Sequence, residues 1–222
     1  YHGMAIHHAM MYGQGGHKEM VRWLKDRGAI IPPLHLAAYY GEFDTVKSLV
    51  SQGANVNERD KGGLSPLQCA IMGNHKGVIQ FLINEGADVN ATGCRELPPL
   101  SAASCRGYTD IVQILLNHDA SVQARDTKVG RTVLHFAAGP GYVEIVQRLL
   151  GNGANINAKD NRGQAPLYAA SGNGHYDVVS ELLAQGADKD IVNQDGQTAL
   201  DLAKERNHKD VVELLKEQRT KE

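Results

Sequence analysis

The chain has 222 residues, and its 23 Lys and Arg against 25 Asp and Glu give a formal net charge of −2. This near balance offers no general attraction for phosphate backbones or anionic lipid, so we expect neither nucleic-acid binding nor membrane association. No apolar run approaches the roughly 20 residues that span a bilayer, and charges and histidines interrupt the early apolar residues, which argues against a signal peptide. The three cysteines, an odd number, argue against a disulfide framework and favour a reducing compartment. We therefore expect a cytoplasmic or more broadly intracellular location, the nucleus included.

A short apolar motif recurs along the chain and marks the first predicted helix of each repeat. A distant copy stands at 5–10, with Ile6 in the leading position. The six later copies begin PLHLAA, PLQCAI, PLSAAS, VLHFAA, PLYAAS and ALDLAK, and they are 33 residues apart except for one step of 34. Self-similarity at such a period predicts a repeat architecture. The leading leucines are Leu34, Leu67, Leu100, Leu134, Leu167 and Leu200.

Capping residues bound these first helices. Proline stands in the first helical turn, where its missing N–H costs nothing, in four copies. Ser65, Thr132 and Thr198 precede that turn as candidate N-caps. Gly or Asn follows each leading position by seven residues, and these residues enter the left-handed region at low cost, so the helix is predicted to end there. These positions are Gly13, Gly41, Asn74, Gly107, Gly141, Gly174 and Asn207.

A second amphipathic helix is predicted after each first one. Apolar triplets at i, i+3 and i+4, such as Val46/Leu49/Val50 and Ile79/Leu82/Ile83, make one buried stripe. The second helices end at Gly53, Gly86, Asp119, Gly153 and Gly186. A polar segment with Asp-x-x-Gly follows and predicts a tight turn.

The 33-residue period and the Pro-Leu-His-x-Ala strings resemble the ankyrin-repeat family over essentially the whole chain. The resemblance implies one all-α solenoid over 1–222, with about seven helix-turn-helix repeats joined by β-hairpin-like loops. Helix pairs of this size must stack on neighbours to bury their apolar faces. The repeats are predicted at 1–31, 32–64, 65–97, 98–131, 132–164, 165–197 and 198–222. Gly28 and Leu34 are too close for a hairpin, so none is predicted between repeats one and two.

The two ends of the array differ. Lys216 occupies the slot that holds Val50, Ile83 or Leu116 in earlier repeats, which is typical of a C-terminal cap. The first residue is Tyr1, which favours a segment of a longer protein, and whether further repeats or a catalytic domain lie upstream is left open.

Candidate catalytic and metal-binding groups have structural explanations in the repeat. His7 shares its slot with His35 and His135, which the family resemblance assigns to hydrogen bonding within and between repeats. Cys69 is expected to be a small buried side chain, and Cys94 and Cys105 lack zinc-site spacing. The acidic row at the start of the second helices complements the helix dipole. We therefore predict no catalytic residues, no metal site and no cofactor.

Asn90 is the one candidate modification site. The segment that ends Ala-Asp-Val-Asn at Asn90 is similar to ankyrin sequences whose asparagine is hydroxylated in animal cells. Asn90 also shares its slot with Asn57 and Asn157, which favours a role in the loop. Whether it is modified is left open.

The surface that the repeat does not need is where a partner would bind. In the family that the chain resembles, positions five and six after each leading residue face the concave side. The first four repeats carry Tyr, Met and Arg there, which interfaces favour, whereas later repeats carry Gly139/Pro140 and Gly172/Asn173. We therefore predict that the binding hot spot lies in the N-terminal half. The predicted residues on this surface are Met11, Tyr12, Tyr39, Tyr40, Met72, Cys105 and Arg106.

Basic residues at the loop tips extend this prediction. The tip segments carry several cations whose acidic neighbours are partly committed to turns, so the edge could attract an acidic peptide; a solvated, charge-balanced edge is the alternative. The tip residues assigned to partner binding are Arg95, Arg125, Lys128 and Arg131.

Taken together, these features indicate a non-catalytic protein–protein interaction module that acts as an adaptor, scaffold or inhibitor. We expect it to be a monomeric domain that binds another protein or a peptide segment. The alternative is a targeting or regulatory domain excised from a larger enzyme, channel or secreted effector. Direct nucleic-acid binding is disfavoured because the chain lacks a basic bias and aromatic stacking platforms.

Overall fold

The computed structural model describes residues 31–92 and 97–217. Within them, twelve short helices follow one another as six pairs, each with a first and a second helix. The pairs are α1 (Pro33–Tyr40) with α2 (Phe43–Ser51), α3 (Pro66–Gly73) with α4 (Lys76–Asn84), α5 (Pro99–Ser104) with α6 (Thr109–Leu116), α7 (Val133–Ala138) with α8 (Val143–Gly151), α9 (Pro166–Gly172) with α10 (Tyr176–Ala184), and α11 (Ala199–Glu205) with α12 (Lys209–Glu217). The predicted all-helical fold is confirmed.

The predicted caps stand at the helix starts. Ser65 accepts a hydrogen bond from the backbone of Gln68, and the Gln68 side chain accepts one from the backbone of Ser65, which forms a capping box. Thr198 and Asp201 form the same arrangement at α11. Acidic residues open most second helices, for example Asp110 in α6, where a carboxylate complements the helix dipole.

Left-handed residues end the helices where the sequence predicts them. Gly41 has φ 74°, and the non-glycine residues Asn74, Asp119 and Asn207 have φ between 60° and 62°. Asn and Asp tolerate this region better than other side chains. The backbone N–H of Glu42 then donates to the Ala37 carbonyl, so the chain reverses directly into α2.

The helices stack in two layers. Each first helix packs on its own second helix and on the first helices of adjacent repeats, and the second helices contact one another in the same order. One continuous apolar core runs between the layers. The leading leucines lie in this core, since Leu67, Leu100, Leu134 and Leu167 have at most 2% of their surface exposed. Cys69 is fully buried, as predicted.

Tight turns join the repeats. In the turn before α3, one carboxylate oxygen of Asp60 accepts from the backbone N–H groups of Gly62 and Leu64, and Asp160 does the same for Arg162 and Gln164. Over the described ranges, strand-like pairing is limited to one antiparallel bridge between Arg125 and Thr132. The junction between repeats one and two lies largely outside the described residues, so the prediction for it stays a prediction. No helix of the described segments has the length and apolar character to cross a membrane.

Candidate partner-binding surface

The histidine slot after the leading leucine ties neighbouring repeats together. The His135 Nδ1 accepts from the backbone N–H of Thr132 at 3.1 Å, and its Nε2 donates to the Gln164 carbonyl, one repeat ahead, at 2.9 Å. His35 contacts the Leu64 carbonyl in the same way, at 2.9 Å. These histidines are therefore structural, as the resemblance implied. Within the described parts of the chain, no group of His, Cys, Asp and Glu is arranged to hold a metal ion.

Burial also lowers the reactivity of the titratable groups on the first helices. It raises the pKa of the Cys105 thiol, which disfavours the nucleophilic thiolate. It raises the pKa of the Tyr39 phenol to about 12. It lowers the pKa of His135, so this imidazole is neutral at neutral pH.

The predicted groove residues of the N-terminal half are only partly accessible. Tyr39 has 5% of its surface exposed and packs edge to face against Tyr40, with ring centroids 5.4 Å apart. Met72 has 9% exposed, whereas Tyr40, Cys105 and Arg106 are half-buried. Tyr40 and Arg106 therefore offer more contact area than Tyr39 and Met72. The contribution of any of these residues to binding stays a prediction.

The predicted tip residues differ in their surroundings. Arg125 donates to the carbonyls of Gly130 and Lys159, so it braces two successive turns. The Arg131 Nε lies 3.8 Å from a carboxylate oxygen of Asp160, whose side chain is fully buried. Lys128 is exposed. Met11, Tyr12 and Arg95, which were also predicted to bind a partner, lie outside the described residues.

Asn90 has a structural function in its loop. Its Nδ2 donates to the Asp119 carbonyl at 3.2 Å and its Oδ1 accepts from the backbone N–H of Ser121 at 2.8 Å, so the side chain bridges two repeats. Asn57 makes the equivalent bridge to Gly86 and Asp88. These contacts explain why an asparagine occupies this position.

A hollow of about 480 Å³ lies on the surface of the first helices in the C-terminal half. Its base is formed by α7, α9 and α11, and its lining includes Arg131, Arg162 and Arg206. We call this depression the basic hollow. Arg162 and Arg206 were not among the predicted binding residues. They are 44 positions apart in the sequence, and only the stacking of repeats brings them to one depression.

The stacked helix pairs, with their caps, left-handed helix ends and inter-repeat hydrogen bonds, define a helical-repeat solenoid with an extended binding surface. The family model for ankyrin repeats (3 copies) matches four overlapping segments, 6–93, 34–126, 92–160 and 134–221. The chain belongs to the ankyrin-repeat family.

Solved structures of the same fold support this assignment. The human ASB11 ankyrin repeat domain is 32% identical, with a TM-score of 0.76 over 84% of this chain and 83% of that one. An ankyrin repeat domain from Acinetobacter baumannii is also 32% identical, with a TM-score of 0.76 over 82% of this chain and 95% of that one. A chain from the complex of the Bdellovibrio bacteriovorus predatory endopeptidase Bd0816 with the immunity protein Bd3460 is 26% identical, with a TM-score of 0.78 over 86% of this chain and all of that one.

Among curated proteins, ankyrin repeat protein OPG189 of variola virus is 48% identical over 40 residues. That match includes 18% of this chain and spans 7% of the viral protein. The vaccinia virus protein of the same name matches to the same extent.

Proposed function

We propose that this chain is a non-catalytic protein–protein interaction module that binds its partner along the surface of the first helices and the adjoining turns. The observation that carries the proposal is the ordered ladder of first helices from α1 to α11, each packed on its neighbours. Such a ladder presents an extended, preorganised surface, which reduces the entropy lost on binding. Ankyrin repeats in general serve as interaction modules, which agrees with this assignment.

Within this class, the role is that of an adaptor, scaffold or inhibitor acting inside the cell. The likeness to a chain from an endopeptidase–immunity protein complex supports a role in binding another protein. A second candidate is a targeting domain of a longer protein. The viral relative favours it, because the matched repeats form a small part of that protein. Sequencing the full open reading frame separates the two, since only the second requires a catalytic or membrane segment elsewhere.

The first test addresses the binding surface. Tyr40→Ala and Arg106→Ala remove accessible groove side chains from the N-terminal half, and each is expected to weaken partner binding by more than roughly threefold. Gln80→Ala is the matched control, because Gln80 is exposed on a second helix. The partner is first isolated by affinity capture and identified by peptide mapping, and affinities are then measured by calorimetry. Equal affinities for the two groove variants and the wild type would place the hot spot elsewhere.

The second test addresses partner charge. Asp60 and Asp160 are committed to backbone N–H groups of their turns, which leaves the basic tip residues as the more available charges. We expect the partner to present an acidic segment and its association rate to fall as salt rises, because steering by charges is screened. Stopped-flow association at several ionic strengths measures this. A rate that does not depend on salt would favour the charge-balanced alternative.

A further inference from the structure

The basic hollow is open at Gly139, where earlier repeats carry a larger side chain. Position five after the leading residue holds Tyr39, Met72 and Cys105 in earlier repeats, and Gly139 and Gly172 in the repeats of α7 and α9. At Gly139 the backbone is right-handed, and an added Cβ would meet only the His135 carbonyl oxygen at 3.3 Å and the Asn173 Nδ2 at 4.0 Å. Gly139 therefore leaves open space, whereas at Gly172 the Leu202 side chain fills the space, with its Cδ2 2.3 Å from the position of an added Cβ.

The charges around this space are of one sign. Three arginines line the hollow, and none of its described lining residues is acidic. The guanidinium of Arg162 is exposed and has no hydrogen-bond or ion-pair partner among the described residues. Within the described part of the chain, Arg206 donates only to uncharged acceptors, the Gly172 carbonyl and the Asn173 Oδ1. The hollow therefore concentrates positive charge on a chain whose formal net charge is −2.

The nearest acidic groups compensate this charge only in part. Asp160 lies behind Arg131, and the Arg131 Nε is 3.8 Å from the Asp160 carboxylate. Asp160 also accepts from the backbone N–H groups of Arg162 and Gln164. Glu205 accepts from the Gln197 side chain at 3.3 Å and does not line the hollow. Burial and the charges of Glu205 and Asp195 raise the pKa of the Tyr168 phenol, which lines the hollow, so these two carboxylates act on it from outside its lining. Arg162 and Arg206 are thus the cations most available to a ligand.

The arginines stand on two sides of the hollow. Arg131 and Arg162 belong to the turns before α7 and α9, whereas Arg206 follows the last turn of α11. A helix of this length spans about 10 Å, at 1.5 Å per residue, so a ligand that reaches both sides must be extended. Half-buried Phe136, within α7, lies between these two sides, whereas exposed Pro140 holds the same slot after α7 that Arg206 holds after α11.

We propose that the basic hollow binds an extended acidic peptide segment of the partner. One carboxylate pairs with Arg162 and Arg131, a second pairs with Arg206, and an apolar side chain between them packs on Phe136. Guanidinium groups suit carboxylates because two parallel N–H···O bonds form at once. A peptide is favoured over a nucleic acid because Phe136 and Pro140 offer an apolar contact rather than a row of stacking platforms. This inference rests on the proposed function and places the contact with the partner's acidic segment in the C-terminal half of the chain.

The test uses a short acetylated peptide in which Asp and Glu flank one Leu, and a control peptide with Asn and Gln in place of the acids. Amide chemical shifts of the full chain report the site, and fluorescence anisotropy reports affinity. Arg162→Glu is expected to weaken binding by about tenfold or more, since it replaces attraction by repulsion. Lys47→Glu makes the same charge change on exposed α2 and is expected to leave affinity unchanged. Gly139→Met introduces the side chain that Met72 carries at the same slot of an earlier repeat, and it should occlude the hollow.

Several results would overturn the inference: no binding of the acidic peptide at about 1 mM, equal binding of the neutral peptide, equal weakening by Lys47→Glu, or shifts that cluster outside the hollow. Tighter binding of a single-stranded oligonucleotide at the same residues would assign the hollow to another ligand class. If the hollow variants bind the peptide as the wild type does while Tyr40→Ala still weakens partner capture, only this inference fails. If no groove variant affects partner capture, the proposed function fails as well.

Discussion

His135 and Gln68 occupy the same repeat slot and make the same two hydrogen bonds with different chemistry. Gln68 accepts from the backbone N–H of Ser65 and donates to the Leu97 carbonyl, as His135 does for Thr132 and Gln164. We therefore expect His135→Gln to change the free energy of unfolding by less than about 1 kcal/mol. His135→Ala should cost about 2–4 kcal/mol, because it leaves the Thr132 N–H without its acceptor, removes one of the two bonds to the Gln164 carbonyl and opens a cavity. Urea unfolding followed by circular dichroism measures both; equal losses in the two variants would contradict the hydrogen-bond explanation.

The same histidine predicts how stability depends on pH. Burial lowers the pKa of His135 below its ordinary value of 6.5, so below that pH the unfolded chain binds a proton that the folded chain excludes. The stabilising effect of the neutral His135 side chain is therefore complete above about pH 6.5 and is lost as pH falls towards the folded-state pKa. The free energy of unfolding then changes by at most about 1.4 kcal/mol per pH unit. The His135→Gln variant should show a flatter profile between pH 7.5 and 5.5. His118→Gln is the control, and an equal flattening there would refute the assignment to His135.

The binding residues were less predictable than the structural ones. The histidine slot follows from a repeating pattern, so its contacts could be predicted from residue type and spacing. The accessibility of Tyr39 and Met72 could not, because each side chain packs between stacked elements whose exact approach is a tertiary property. The basic hollow was not predicted from the sequence, for a related reason. Residue-by-residue reasoning favours side chains that project, whereas this depression depends on Gly139, which has none, and on arginines that only the stacking of repeats brings together.

At the scale of helices, the left-handed glycines are not equivalent to one another. Gly53 has φ 89° with nothing within 4 Å of a would-be Cβ, whereas a Cβ on Gly41, at φ 74°, would lie 2.3 Å from the His75 ring. Gly53→Ala should therefore cost about 1–2 kcal/mol from the backbone alone, and Gly41→Ala should cost at least about 1 kcal/mol more. Gly77→Ala, inside α4 and with open space, should be neutral or stabilising. Thermal unfolding of the three variants gives the order, and equal losses at Gly41 and Gly53 would contradict it.

Helix boundaries were the most predictable feature of the fold. Ser65, Thr198 and the prolines start helices for local reasons, and Gly41 and Asn74 end them for local reasons, so no knowledge of packing was needed. Loop conformation was less predictable. The loops at Asp60 and Asp160 are turns closed by these side chains, and the one bridge in the described parts is at Arg125 and Thr132, so the hairpin-like form of the loops stays a prediction. Side-chain acceptors at Asp60 and Asp160 supply hydrogen bonds that strand pairing would otherwise make.

For the whole molecule, we expect the exposed outer side of α12 to limit self-association. Lys216 is exposed at a slot where earlier second helices carry half-buried apolar side chains, such as Leu116 and Leu150. We expect the 222-residue chain to be monomeric and Lys216→Leu to promote self-association by extending an apolar patch. Lys209→Leu, at the start of the same helix, is the control. Size-exclusion chromatography with light scattering would detect the difference, and a monomeric Lys216→Leu variant at high concentration would argue against this function of Lys216.

The stacking order has a further consequence for how the number of repeats can change in evolution. Each helix pair leans on the pair before it and the pair after it, and the asparagine bridges at Asn57 and Asn90 also connect adjacent units. If one whole repeat were duplicated or lost in the gene, the repeats on either side would therefore form the same kind of contacts with each other, and the rest of the chain would not have to change. Point changes such as those at Gly139 and Gly172 can then reshape one stretch of the surface while the rest keeps its earlier specificity.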